Sequence, residues 1–429
     1  MTARRFCPPP FATAVETAIA AVLFPLCLSA AAAAEPADAP VSLNSAFAIA
    51  RELRAEMRVS AARVDAARQR PAIVSALDDP VLSPSIDHKP VDAMMKTDRS
   101  ITYEQSFPLS RIRTHRRSAA EADIGKYEGE AAKAVLRIQA EVAQAFFMLG
   151  ERRAMGELLA RQTALSAQLV QLAAKRHALG VAGQADVLRA EMEQARLRGR
   201  LAASAAEVRS AEAMFNTALG RGIAASVPPV LAQDVLARIA RAPDLPASLA
   251  RARERRPELR ISQAEGRRAR AEIDVMKAMY APMLMVRLGM ADTMTAGRGY
   301  MLMVGISLPI WRTKLDAGVR EAHAMAAMAE ADREAMLRMI DGEVAATLEA
   351  LRGASLYYQA FETDLIPRAE RAMAPALNAY ASGTLPLTGV LETSRALWSV
   401  QEEAVMAQTA LAMAWIRHCG AMGDFGAFQ

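Results

Sequence analysis

The stretch His177-Ala178-Leu179-Gly180-Val181-Ala182-Gly183, running into Asp186-Val187-Leu188-Arg189, has a second version at Tyr380-Ala381-Ser382-Gly383-Thr384-Leu385, running into Gly389-Val390-Leu391-Glu392. In both, an alanine-rich helical pattern stops at a glycine, turns, and restarts as helix. Glycine suits that position because a helix ends readily with one residue at positive φ, where a Cβ is costly. Each version therefore reads as the tip of an antiparallel helical hairpin.

The repetition extends away from the tips. Residues 48–60 align with 250–262, with identity at about eight of thirteen positions. Pro80-Val81-Leu82 matches Pro282-Met283-Leu284, Phe107-Pro108-Leu109 matches Leu308-Pro309-Ile310, and Gly180 matches Gly383, all at nearly one offset. Abundant alanine and arginine inflate single matches but do not produce a constant offset. The chain thus divides into a first repeat over 35–219, a Pro- and Gly-containing linker over 220–244, a second repeat over 245–418 and a tail over 419–429.

Within each repeat the order is helix, two short strands, a very long helix, the glycine turn and a shorter helix. A helix is expected over residues 42–76, ahead of Asp78-Asp79-Pro80. The first long helix is expected over 111–178, about 100 Å at 1.5 Å per residue, with a seam through Val135, Ile138, Val142, Leu149, Leu158, Leu165, Leu169, Leu172 and Leu179. Its counterpart over 315–381 has Met328, Met336, Ile340, Val344, Leu348 and Leu351 in the seam, with Pro367 and Pro375 placed to kink or break it. The returning helices read as 186–219 and 390–417. Helices of such length need partners along their sides, which points to self-association into a helical tube.

The strands alternate with period two. Leu82, Pro84 and Ile86, then Ile101, Tyr103 and Phe107, fall on one face in the first repeat; Leu284, Val286, Leu288 and Met290, then Tyr300, Leu302, Val304, Ile306 and Leu308, do so in the second. At about nine or ten residues, such strands can cross a bilayer when tilted. Four strands are too few for a closed barrel, and an open sheet edge leaves N–H and C=O groups unpaired in lipid. Spanning strands would therefore have to be pooled by several chains, and a trimer supplies about twelve. The alternative is two surface hairpins capping a helical rod.

Residues 1–34 resemble a secretion signal: Arg4 and Arg5, an apolar run, then Ala32-Ala33-Ala34 before Glu35. A retained membrane anchor is the alternative. Cys7 and Cys27 fall in this leader, leaving Cys419 without a disulfide partner in the mature chain. Lys+Arg 52 against Asp+Glu 47 are interleaved along the chain, which excludes a nucleic-acid footprint. No nucleophile elbow, phosphate loop, dinucleotide fingerprint or zinc signature occurs, so neither an enzyme nor a bound cofactor is expected. The five histidines lack metal-ligand spacing and read as packing or surface residues. Among 24 methionines, Met94, Met95, Met290 and Met294 at the strand loops are candidates for a soft metal, against packing as the favoured role. Asp186 and Glu392, in the opening turns of the helices that follow the tip glycines, read either as helix-dipole partners or as a charged ring around a pore.

The tandem repeat, the Phe107-Pro108-Leu109 and Leu308-Pro309-Ile310 strand ends and the two tip motifs together resemble the outer membrane efflux protein (TolC) family over essentially the whole mature chain. The resemblance implies a mostly α fold with a small β part. Tandem helical hairpins would form a trimeric α-barrel, and four strands per chain would contribute to a twelve-stranded transmembrane β-barrel. It further implies a passive exit duct in outer membrane lipid. A periplasmic adaptor would meet Leu179, Gly180, Val181, Ser382, Gly383 and Thr384 at the tips, and link the duct to an inner-membrane resistance–nodulation–division pump. A pore constriction near Asp186 and Glu392 is implied as well. The family often has an aspartate at the position of Gly389, so the acidic ring would be reduced here. Leu77-Asp78-Asp79-Pro80, Leu308-Pro309-Ile310-Trp311 and Gly318-Val319-Arg320-Glu321-Ala322 resemble the heavy-metal branch. Rival readings are an exit duct for multidrug efflux or type I protein secretion, and a periplasmic coiled-coil adaptor or structural protein.

Overall fold

Both halves fold in the same order in the computed structural model, which describes residues 40–87, 97–230, 243–293 and 296–426. The first half contains α1 (Leu43–Leu53), α2 (Ala55–Ser75), β1 (Val81–Asp87), β2 (Asp98–Pro108), α3 (Ile112–Ala178) and α4 (Gln184–Leu219). The second contains α5 (Leu245–Arg255), α6 (Pro257–Ala278), β3 (Met283–Thr293), β4 (Gly297–Ser307), α7 (Arg312–Ala360), a π-helical turn (Phe361–Leu365), α8 (Ile366–Ser382) and α9 (Leu387–Met422). The expected leader, His88, Met94, Met95 and Met294 lie outside the described residues. No helix among the described residues is long and apolar enough to cross a membrane.

The helix expected over 42–76 is broken at Arg54, whose ψ of 122° is extended. In the second half the same break at Arg256 is dictated locally, because Pro257 excludes the helical conformation from the residue before it. Ala55 imposes no such limit, so tertiary contacts hold the first break. The Arg54 guanidinium donates to the Ala218 carbonyl at 3.0 Å and to Glu56 and Glu141 at 2.7 and 2.8 Å. Arg256 repeats this set with the Gly420 carbonyl at 2.9 Å and Glu343 at 2.7 Å.

The strands form one antiparallel sheet of order β1-β2-β3-β4, not two separate hairpins. β2 and β3 join the repeats, with Tyr103 opposite Leu288 and Phe107 opposite Leu284. β1 has seven residues and the others eleven each, against the expected nine or ten. The alternation is in register: Leu82, Tyr103, Leu288 and Leu302 form one row across the sheet. This apolar face is uncovered, with Leu302 68% and Tyr300 91% exposed. The opposite face is small, polar and methionine-bearing, with Glu104 paired to Arg287 at 2.8 Å and the Ser85 and Ser100 hydroxyls 2.7 Å apart.

Of four apolar clusters among the described residues, the two largest bind the long helices. One gathers Val142, Phe146 and Leu149 of α3 with Phe215 of α4, Leu351 of α7 and Leu411 and Trp415 of α9. The second lies toward the tips and includes Leu169, Ala190, Tyr380, Val390 and Trp398. Ile340, Val344, Leu348 and Leu351 of the expected second seam are fully buried, but Met328 is 51% exposed and does not belong to it. His418 is buried between the Ser248 hydroxyl, 3.3 Å from Nε2, and the Thr347 hydroxyl, 3.1 Å from Nδ1, a packing role; burial lowers its pKa. α9 continues through Cys419 to Met422, so the boundary expected at 418 falls inside a helix.

Candidate functional site at the hairpin tips

The two versions of the glycine stretch end their helices identically. Gly180 has φ 76° and Gly383 φ 86°. The Gly180 N–H donates to the His177 carbonyl at 2.9 Å and the Val181 N–H to Arg176 at 3.0 Å. In the second tip the Gly383 N–H donates to Tyr380 at 3.1 Å and the Thr384 N–H to Ala379 at 2.9 Å. Both are the paired closure in which one left-handed residue satisfies two orphan carbonyls. Backbone geometry is therefore common to the tips while their side chains differ. The first presents apolar Leu179, 77% exposed, and Val181; the second presents the hydroxyls of Ser382 and Thr384, which bond to the Ala379 carbonyl.

The tips touch. Arg176, in the last turn of α3, donates to the Tyr380 carbonyl and lays its guanidinium over the Tyr380 ring, 4.5 Å from the centroid. Tyr380 is 1% exposed; burial pushes its phenol pKa up, an effect that the nearby Arg176 charge opposes. The helix C-terminus thus carries a cation, favourable for the dipole, and spends it on the neighbouring hairpin. Sequence alone does not reveal this link, since nothing in the spacing of Arg176 and Tyr380 marks them as neighbours.

Asp186 sits in the first turn of α4, where the dipole favours an acid, and pairs with Arg189 at 3.5 Å. Glu392 is exposed, five residues into α9 and close to Arg395. Neither acid holds the hairpins together. That role falls to Glu193, 5% exposed, which accepts from Arg395 at 2.5 and 3.2 Å, and to Glu402, which accepts both Arg200 donors at 2.9 and 2.7 Å. These pairs join α4 to α9. Gly389 lies against Leu385: a Cβ there would stand 2.8 Å from its Cδ1. An aspartate at this position would require the Leu385 side chain to shift.

Residues 248–423 match the family model described as outer membrane efflux protein. No curated protein matches the chain. Several solved structures share its fold. CusC, from work on conformational changes accompanying folding and transmembrane channel formation, superposes with a TM-score of 0.77 at 17% identity, covering 89% of this chain and 92% of that one. The outer-membrane channel OprN gives 0.73 at 18% identity, over 90% and 91% of the two chains. The outer membrane protein VceC from Vibrio cholerae gives 0.72 at 17% identity, over 89% and 96%. The helical hairpins with their four-stranded sheet are thus the fold of these outer-membrane proteins.

Proposed function

We propose that the chain is the outer-membrane exit duct of an efflux system, passive and driven by a partner pump. The observation that carries this reading is the sheet: its apolar face is uncovered, and β1 and β4 each have a strand neighbour on one side only among the described residues. Three copies joined β4 to β1 would remove every edge and turn the apolar face to lipid. The match to the efflux-protein model over the second repeat and the channel fold support the same conclusion. On this reading the strands lie in the outer membrane and the hairpins extend into the periplasm. Leu179, Gly180, Val181, Ser382, Gly383 and Thr384 meet a periplasmic adaptor, and the adaptor connects to an inner-membrane resistance–nodulation–division pump.

The cargo we assign is heavy-metal cations. Support comes from the Leu77–Pro80, Leu308–Trp311 and Gly318–Ala322 motifs and from Met283, Met285, Met301 and Met303, which share the sheet face opposite the lipid-facing row and offer soft thioethers to the lumen. Deleting the gene should sensitise cells to metals more than to dyes or antibiotics, and the wild-type gene should restore growth. Sensitivity confined to dyes and antibiotics would favour the multidrug alternative. Gly180→Pro combined with Gly383→Pro should fail to restore growth while trimers persist in the membrane, because proline cannot adopt positive φ. Asp186 and Glu392 narrow the periplasmic mouth in this scheme. Glu392→Gln should lower cation selectivity in single-channel recordings, and an unchanged reversal potential would remove Glu392 from the pore.

A further inference from the structure

The internal repeat supplies a template for the contact between copies. Twin ion pairs fix the equivalence: Arg68–Glu128 on α2 and α3 recurs as Arg270–Glu330 on α6 and α7, and Arg54–Glu141 recurs as Arg256–Glu343. Within one chain, α3 of the first repeat packs on α6 of the second. A Cβ on Gly125 would stand 3.4 Å from the Ala264 Cβ, and one on Gly129 would meet Ile261 at 2.6 Å. Around these close approaches the junction is ionic. Lys126 pairs with Glu265 at 2.9 Å, and Arg268 with Asp123 at 3.4 Å.

The same junction one repeat further on would bring α7 against α2 of the next copy, and there the residues change character. Lys126 is replaced by Met328, Asp123 by Met325, Gly125 by Ala327, Gly129 by Ala331, and on the opposite helix Ile261 by Val59 and Arg268 by Ala66. Met325, Met328 and Val59 are about half exposed in the single chain, at 53, 51 and 50%. Ala264 is fully buried while its counterpart Ala62 is exposed, and Val275 is 3% exposed while its counterpart Ile73 is 66% exposed. The added methyls on α7, where α3 has glycines, are matched by Val59 being smaller than Ile261. A groove repeats the pattern. Between α2 and α3 it is walled by Arg63, Asp123 and Lys126 and closed by Arg268 from α6. Its twin between α6 and α7 is lined by Met325 and Met328 together with Glu265, Arg268, Glu321 and Asp332, all from those two helices, with no third helix across it in the single chain.

We infer that this exposed stripe of α7 is the seam with a second copy of the chain, that it seats the partner's Val59, Ala62 and Ala66, and that the partner's Ala66 closes the open groove. On the α7 side the seam between copies places Met325 and Met328 where the seam within a copy has Asp123 and Lys126 in ion pairs. This rests on the trimeric assembly of the proposed duct and adds the helix faces, their register and their chemistry. The separation of 3.4 Å at the template falls close to the Cβ–Cβ range of a disulfide.

Ala62→Cys combined with Ala327→Cys should therefore form a disulfide between copies in membranes, giving dimer and trimer bands on non-reducing gels. Each single variant, and Ala62→Cys with Ala335→Cys, two turns away, should not. Charge sign gives a second readout. Met328 would face the partner's Arg63, which stands at the position of Glu265. Met328→Glu should retain trimers, and Met328→Lys should raise the concentration at which trimers dissociate about tenfold relative to it. Trimers that form without cross-linking at 62 and 327, or that respond equally to both charges, would overturn the seam and leave the assembly standing. A chain that is monomeric in wild-type form would overturn the assembly itself.

Discussion

At the residue scale, the glycines at positive φ are not equivalent. Nothing lies within 4 Å of a Cβ placed on Gly180, whereas one on Gly423 would be 3.0 Å from the backbone of Arg255 and Arg256. Gly180→Ala therefore meets only the conformational cost, about 1 kcal/mol. Gly423→Ala adds a collision with backbone that has no rotamer to change, for about 3 kcal/mol in total. Urea unfolding in detergent should rank them in that order; equal losses would show that the α5–α6 break can shift. The same logic explains why two tips with one backbone geometry keep different side chains: the closure needs only the glycine, leaving Leu179 and Ser382, and Val181 and Thr384, to differ.

At the element scale, the π-helical turn at Phe361–Leu365 has a cause in the repeat. Leu149 corresponds to Leu351 and Ile138 to Ile340, but Gly180 corresponds to Gly383, one residue further along. One extra residue therefore lies between Leu351 and Gly383, and the turn absorbs it without rotating α8 and the tip. It also precedes Pro367, whose ring would otherwise press on the Thr363 carbonyl. Deleting Thr363 together with Pro367→Ala, so that no proline is left inside regular helix, should leave trimers, the Arg176–Tyr380 contact and complementation intact. Deleting Ala346, within regular α7, should rotate the tip by about 100° and abolish complementation. Loss of function in both would show that the turn has a role of its own. The interruption expected at Pro367 was thus legible, but its form was not, and the one expected at Pro375 is absent, since α8 runs on through it: a helix can answer proline by breaking, bending or widening, and the spare residue decided for widening.

At the scale of the whole molecule, a sheet with two edges and an uncovered apolar face is incomplete in one copy. An unboiled gel of outer-membrane fractions should show a heat-labile band at about three times the mass of the mature chain seen after boiling. A detergent-free soluble monomer would refute the membrane reading. The expectation of pooled strands came from counting them, since four cannot close. The pairing of β2 with β3, which makes one sheet from two hairpins, came only with the fold.

The sequence by itself determined the repeat, the helix and strand order, the turning glycines and the apolar face of each strand. These depend on periodicity and on local backbone preference, both written in neighbouring residues. Tertiary structure alone decided the break at Arg54, the Arg176–Tyr380 link, the Glu193–Arg395 and Arg200–Glu402 pairs and the exposure of Met328. Each of these joins residues far apart in the chain, or turns one face of a helix toward a neighbour. A heptad rhythm shows that a helix has an apolar stripe; it does not say whether that stripe is covered by the same chain or by the next.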